Sequence, residues 1–124
     1  MIIGIGSDFM KADSLHGSVL KNNDAFLLKT YTKKEIEAAA DRLNPHMYYA
    51  LRFSAKEAVF KCLGICGDHI SMTDIEILSH DNGQPYVVLH GDILKYSQDK
   101  GINEILLTLS YDDGYVQAFA IAQR

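Results

Sequence analysis

The chain has 124 residues, of which 48% are hydrophobic and 23% are charged, and its formal net charge is -4. This length and composition favour one folded domain, residues 1–124, and argue against disorder. The acidic balance does not suggest a nucleic-acid partner. No apolar run approaches the roughly 20 residues that span a bilayer, and the N-terminus lacks the basic region of a signal peptide. We therefore expect a cytosolic protein without a membrane partner.

The first predicted element is a strand over Ile2–Ser7, where β-branched residues alternate with Gly4 and Gly6. These glycines would permit either the close approach of another backbone or a β-bulge. Asp8 then stands at the end of the strand. A lone aspartate in this position is most often a turn residue or a helix cap, so Asp8 alone predicts little.

Two helical patterns follow. The pattern over Ser14–Tyr31 is broken, with an interruption at Asn22-Asn23. A second helix is predicted over Lys33–Leu43, because Thr32 and Glu35 have the spacing of a capping box.

A long central helix is predicted over His46–Leu63, and Gly64 is its expected C-terminal stop. One face of this helix is apolar at helical spacing, which indicates a core position. The residues of that face are Leu51, Ala55, Ala58, Val59 and Cys62.

The second half of the chain predicts two hairpins separated by a helix. Asp81-Asn82-Gly83 and Asp112-Asp113-Gly114 are the turn signals. The predicted elements are the strands Thr73–Ser79, Gln84–Leu89, Glu104–Ser110 and Tyr115–Ala122 and the helix Asp92–Lys100. Since strands and helices do not alternate regularly, we expect an α+β fold in which an antiparallel sheet packs on the long central helix.

Cys62 and Cys66 are the only cysteines. A single C-x3-C pair is a weak zinc signal, and adding His69 or His80 does not produce a standard ligand spacing. Two reduced thiols in a cytosolic protein is the interpretation that we prefer.

The central helix carries four charged residues, Arg52, Lys56, Glu57 and Lys61. Glu57 and Lys61 lie about 40° apart on one helix face, and such a pair alone would be an ordinary surface salt bridge worth about 0.2–0.5 kcal/mol. Arg52 and Lys56 are like charges at the same four-residue spacing. Three cations near one glutamate suggest a bound anion. Together with Asp8 they would suit a metal ion and a phosphate ester.

Four motifs in order make the chain resemble a known family. They are GIGSD over Gly4–Asp8, RFSAKEAVFKCLG over Arg52–Gly64, DIEI over Asp74–Ile77 and NGQPYV over Asn82–Val87. This pattern resembles the holo-acyl-carrier-protein synthases of the phosphopantetheinyl transferase superfamily. The resemblance covers nearly the whole chain, and the K-E-A-x-x-K element is its most specific part.

The resemblance implies a reaction and a catalytic site. The family transfers the phosphopantetheine arm of coenzyme A to a serine of an acyl or peptidyl carrier protein, for example in fatty acid biosynthesis, and releases adenosine 3',5'-bisphosphate. Mg²⁺ is the natural ion for this chemistry, with Asp8 and Glu57 as its carboxylate ligands. Lys61 would hold the coenzyme A phosphates as a point charge. For the general base, Glu57 or a metal-bound water is the candidate, and Glu35 is a distant third.

The resemblance also implies further coenzyme contacts and an oligomer. Arg52 and Lys56 would bind a phosphate of the same or a neighbouring active site, and Gly64 and Pro85 would lie near the coenzyme. Family members of this size are usually trimers whose active sites lie between subunits. The last predicted strand is consistent with a trimer. Its large residues lie on one face and its small residues on the other, so that both faces would be covered by protein.

Three positions depart from the family pattern. Ser14 replaces an arginine of the carrier-docking helix, while Leu106 and Tyr111 replace histidines of the penultimate strand. A dedicated carrier, distinct from the fatty-acid one, would explain a changed docking surface. Two other hypotheses remain: a degenerate module that binds coenzyme A or a carrier without catalysis, and a structural protein of the same fold.

Overall fold

The computed structural model describes residues 1–15, 24–65 and 70–124. The strands are β1 (Ile2–Lys11), β2 (Ile75–Ser79), β3 (Pro85–Leu89), β4 (Glu104–Asp112) and β5 (Tyr115–Gln123). The helices are α1 (Asp24–Thr30), α2 (Lys33–Ala40), α3 (Pro45–Leu63) and α4 (Gly91–Asp99). None of the helices in these ranges is long and apolar enough to cross a membrane.

Helix α3 lies against a three-stranded antiparallel sheet with the order β1-β5-β4. Strands β2 and β3 form a separate antiparallel hairpin, in which Ser79 pairs with Pro85 across the predicted turn. The α+β class is therefore confirmed, and so is the packing of an antiparallel sheet on a long central helix.

The main core lies between α3 and β5. Both surfaces are built from small side chains, which brings the helix close to the sheet. Val116 and every second residue after it on β5 face the helix and are fully buried. The apolar face predicted for α3 is buried at four of its five positions, and Leu51 is half-buried.

Gly4 and Gly6 let β1 run directly against the backbone of α3. A Cβ atom on Gly4 would lie 1.9 Å from the carbonyl oxygen of Cys62, and one on Gly6 would lie 2.1 Å from that of Ala58. Only glycine fits at this separation, so the predicted close approach is confirmed. The contact places Asp8, two residues after Gly6, beside the middle of α3.

Two element boundaries differ from the sequence expectation by three residues or more. Strand β1 continues to Lys11, because its residues pair with β5 as far as Lys11 opposite Tyr115. Asp8 therefore lies within the strand and not at its end. Helix α2 stops at Ala40 and is capped by Asp41, three residues before the predicted end. The first difference arises because partner strands, rather than local propensity, decide where a strand ends.

The segment predicted as a broken helix contains a 3₁₀ turn, Ala12–Leu15, and helix α1. Its remaining residues, 16–23, lie outside the described part of the chain. Cys66 and His69, the residues of the weak zinc hypothesis, also lie outside it, whereas Cys62 is a buried free thiol.

Candidate active site

Asp8 is held between a serine and a lysine of α3. Its Oδ2 accepts a hydrogen bond of 2.9 Å from Ser54 Oγ, and its Oδ1 lies 3.4 Å from Lys61 Nζ. Lys61 Nζ also donates to the carbonyl oxygen of Ser7 at 3.0 Å. The Asp8 side chain is only 15% exposed, whereas that of Lys61 is 51% exposed. The lysine can therefore reach a molecule in solvent while it contacts the aspartate.

Glu57 lies one helical turn before Lys61 and is half-buried. Burial raises the pKa of its carboxyl group above the ordinary glutamate value, and the neighbouring Asp8 raises it further. Lys61 lowers the pKa but does not cancel these effects. A bound cation would offset the charge of Asp8 and so favour the ionised form of Glu57. The structure thus brings Asp8, Glu57 and Lys61 together.

This donor set suits a hard divalent cation. Mg²⁺ prefers oxygen ligands and is usually held by one or two carboxylates, with substrate phosphates and waters completing its shell. Within residues 1–15, 24–65 and 70–124 there is no cluster of three or more His, Cys, Asp or Glu side chains that could hold a metal. Asp8 and Glu57 would supply two oxygen ligands to such an ion, and substrate oxygens and waters would have to complete its shell.

Lys56 does not lie where the sequence expectation placed it. It is fully buried, and its ammonium group contacts Glu35 at 2.8 Å and the carbonyl oxygens of Met72 and Ile75. Burial lowers its pKa, although Glu35 opposes that shift. An enclosed ammonium with three protein partners has no room for a phosphate, so we leave Lys56 out of the coenzyme site.

The carboxylate of Glu35 is likewise fully engaged in contacts within the protein. Besides the Lys56 ion pair, it accepts backbone hydrogen bonds from Thr32 and Ile77, at 2.8 Å and 3.0 Å. The first of these bonds completes the predicted capping box, which is confirmed. Because Glu35 is fully buried and its oxygens are occupied, it is not available as a general base.

Arg52 faces a different cleft, of about 290 Å³, which Pro85 also lines. Its guanidinium group donates to Ser79 Oγ at 2.6 Å and lies 4.5 Å from the ring centroid of Tyr48. Arg42 covers the same ring at 4.9 Å. Arg52 is 5% exposed, and its Nε has no hydrogen-bond partner among the described residues. A buried cation with an unused donor is suited to an anionic group.

The predicted coenzyme-binding residues therefore fall into two groups. Arg52 and Glu57 are five residues apart on α3, which separates them by about 140° around the helix axis. Lys61 lines a separate depression with Ile5 and Phe119. The expectation that three cations surround Glu57 is corrected, because of these three only Lys61 contacts the acidic pair.

Gly64 ends α3 as predicted. It adopts the left-handed conformation, with φ of 69°, and its N–H donates to the carbonyl oxygen of Lys61 at 3.1 Å. Residues 66–69 of the loop that follows are not among those described. A contact between Gly64 and the nucleotide stays a prediction.

The sequence analysis missed the hydrogen bond from Ser54 to Asp8, and it missed Arg42 altogether. The i, i+3 spacing of Ser54 and Glu57 was a usable signal for the position of Ser54 beside the acidic pair. No sequence signal pointed to Arg42, because its place opposite Arg52 depends on the packing of both around Tyr48. Tyr111, which replaces a family histidine, lies at the rim of the same cleft.

The face of the three-stranded sheet that points away from α3 carries exposed apolar side chains. Ile5 is 64% exposed, Phe9 is 65% exposed and Phe119 is 38% exposed. Leu106, the other position where a family histidine is replaced, lies on this face opposite Ile121. We refer to Ile5, Phe9, Leu106 and Phe119 as the outer sheet face.

Comparisons with known proteins match this architecture. A family model described as the 4'-phosphopantetheinyl transferase superfamily matches residues 4–120. The holo-[acyl-carrier-protein] synthase of Fusobacterium nucleatum is 39% identical over 122 residues, 98% of each chain. The crystal structure of the Neisseria meningitidis holo-[acyl-carrier-protein] synthase is 30% identical, covers both chains completely and has a TM-score of 0.88. That of a Bacillus anthracis synthase in complex with CoA (3',5'-ADP) is 25% identical, covers 98% and 96% of the two chains and has a TM-score of 0.77.

The chain therefore belongs to the 4'-phosphopantetheinyl transferase superfamily. Within it, the full-length relatives are holo-[acyl-carrier-protein] synthases, and the predicted enzyme class is confirmed at that level.

Proposed function

We propose that this chain transfers the 4'-phosphopantetheine arm of coenzyme A to a serine of a carrier protein and releases adenosine 3',5'-bisphosphate, with Mg²⁺ as cofactor. The observation that carries the proposal is the convergence of Asp8, Glu57 and Lys61 at one surface of α3. Two acidic groups and an exposed cation beside them suit a metal ion and a diphosphate.

In this proposal, residues of the chain position the metal ion and the substrates and stabilise the charge of the phosphate. Asp8 and Glu57 would hold the Mg²⁺ ion, which when bound neutralises charge on the diphosphate. The serine oxygen of the carrier attacks the phosphorus next to the pantetheine, and the bond from that phosphorus to the adenosine bisphosphate breaks. Lys61 stabilises the negative charge on the phosphate oxygens. Glu57 lies at the same surface as Asp8 and Lys61, and its carboxylate is our proposed acceptor for the serine proton.

The Arg52 cleft supplies the second half of the proposed site. Arg52 and Arg42 would bind the anionic nucleotide end of coenzyme A, with Pro85 in the cleft wall. Since this cleft and the acidic pair lie on different sides of α3, one coenzyme would contact the acidic pair of one subunit and the arginine cleft of another.

A homotrimer would provide such a composite site. Its interface would be the outer sheet face, whose large apolar side chains are 38% to 65% exposed in the described chain. We also propose that residues 1–124 form a single domain and that the protein is located in the cytosol. The Bacillus anthracis relative in complex with CoA (3',5'-ADP) supports the choice of coenzyme.

A second candidate function is binding without catalysis. It is favoured by the replacements at Leu106 and Tyr111, since Tyr111 lines the Arg52 cleft where a family histidine would stand. Such a chain would bind coenzyme A but would not modify a carrier.

A panel of carrier proteins, each incubated with coenzyme A and Mg²⁺ and then weighed by mass spectrometry, separates the two functions. A modified carrier gains about 340 Da, the mass of the phosphopantetheine arm. Glu57→Ala should abolish the gain, and Glu37→Ala, which removes an exposed acid on α2, should leave it unchanged. Coenzyme binding with no mass gain on any carrier would reject the transferase. Modification of the fatty-acid carrier alone would reject a dedicated carrier.

A further inference from the structure

Ser54 is a buried polar residue at the edge of the acidic pair. It is 0% exposed, and its hydroxyl group reaches across to β1, where it contacts Asp8 at both Oδ2, 2.9 Å away, and the backbone oxygen, 3.3 Å away. Ser54, Glu57 and Lys61 follow at i, i+3 and i+7, so they share one face of α3. That face is the one directed at Asp8.

The direction of this hydroxyl is unusual for a serine inside a helix. Buried helical serines commonly bond back to a carbonyl group of the preceding turn. Ser97 of α4 shows this ordinary behaviour, since it is 3% exposed and donates to the carbonyl oxygen of Leu94 at 2.7 Å. Ser54 instead contacts a carboxylate 46 residues away in the sequence.

The contact restricts the orientation of Asp8. With Oδ2 held by Ser54, the other oxygen, Oδ1, is the one beside Lys61. A carboxylate that ligates a metal is generally held in turn by a hydrogen bond, which fixes its rotamer before the metal binds. An alanine at this position would preserve the helix and its packing while releasing the carboxylate.

We propose that Ser54 is a positioning residue that orients the Asp8 carboxylate for a divalent cation. This inference rests on the proposed function, because it takes Asp8 as a metal ligand. Ser54, the serine of the RFSAKEA segment, would then have a role beyond packing. In this role Ser54 acts through Asp8 and not on the reacting groups themselves.

The test is Mn²⁺ binding measured by electron paramagnetic resonance, with coenzyme A present and no carrier, so that no turnover occurs. Ser54→Ala should weaken Mn²⁺ binding about 10-fold or more, the usual loss when a residue supporting a ligand is removed. Ser97→Ala, the matched buried helical serine, should bind Mn²⁺ as the unaltered protein does. In the transfer assay, Ser54→Ala should need a higher Mg²⁺ concentration for half-maximal rate, while the rate at saturating Mg²⁺ recovers.

Each outcome has a separate meaning. If the unaltered protein binds Mn²⁺ and Ser54→Ala binds it equally well, the positioning role is rejected and the proposed function stands. If the unaltered protein binds no Mn²⁺, the metal assignment of Asp8 is rejected, and the role of Ser54 falls with it. Thermal unfolding of Ser54→Ala and Ser97→Ala monitors stability, so that a general loss of folding is not mistaken for lost metal affinity.

Discussion

Glu57, the proposed metal ligand on α3, is a carboxyl group whose charged form is disfavoured in the folded chain. Its pKa is raised in the folded chain by burial and by Asp8. A raised pKa means that the folded state favours the neutral carboxyl group, so the metal-free protein loses stability as the pH rises through that pKa. The proposed function therefore uses the charged form of Glu57, which folding disfavours.

We predict that Glu57→Gln raises the melting temperature of the metal-free protein at neutral pH and abolishes transfer. The amide removes the repulsion with Asp8 and the cost of burying a charge. Thermal unfolding with a chelator present, together with the carrier mass assay, measures both effects. Glu37→Gln, on the exposed face of α2, should change neither quantity. A lower melting temperature for Glu57→Gln would contradict this account of its pKa.

Among the elements, α2, α3 and β2 are joined by one buried ion pair. Lys56 on α3 contacts Glu35 on α2, and Glu35 accepts a hydrogen bond from the backbone of Ile77 on β2. Removing one partner of such a pair leaves an uncompensated buried charge. The pair therefore fixes how the three elements pack together. Its member on α3, Lys56, is adjacent to Glu57 in the sequence.

We predict that Lys56→Met lowers the free energy of unfolding by about 3 kcal/mol, because Glu35 is left buried without its cation. Chemical denaturation measures this loss. Lys33→Met provides the control, since Lys33 and Glu37 form a solvent-exposed pair on α2 whose removal should have little effect. Weaker coenzyme binding by Lys56→Met at unchanged stability would instead restore Lys56 to the coenzyme site.

Local signals predicted the elements well where they act within one segment. The capping box at Thr32 and the glycine stop at Gly64 are both present. The end of β1 was missed, because the strand continues for as long as β5 pairs with it. Register with a distant strand is not visible in a local pattern.

On the scale of the whole molecule, the outer sheet face is the feature that most needs a partner. An apolar patch of this kind on a sheet commonly marks an interface between subunits. The two halves of the proposed site also lie on different sides of one chain. A trimer would cover the patch and bring the halves together.

We predict that Phe119→Asp converts a trimer into monomers and abolishes transfer, since it places a charge in the proposed interface. Size-exclusion chromatography with light scattering gives the mass, and the carrier assay gives the activity. Leu28→Asp, at an exposed leucine of α1, is the matched control and should affect neither. A fully active monomeric protein would refute the composite site.

The sequence by itself determined the fold class, the family and the acidic pair. These depend on periodicity, on caps and on motifs of adjacent residues. Gly4 and Gly6 allowed for a close backbone approach to β1, but they did not identify α3 as the partner. Only the tertiary structure decided that Lys56 is buried with Glu35 and that Ser54 holds Asp8. The physical reason is that each of these contacts joins residues far apart in the chain. Which groups meet there depends on how helices and strands pack, and not on the spacing within either segment.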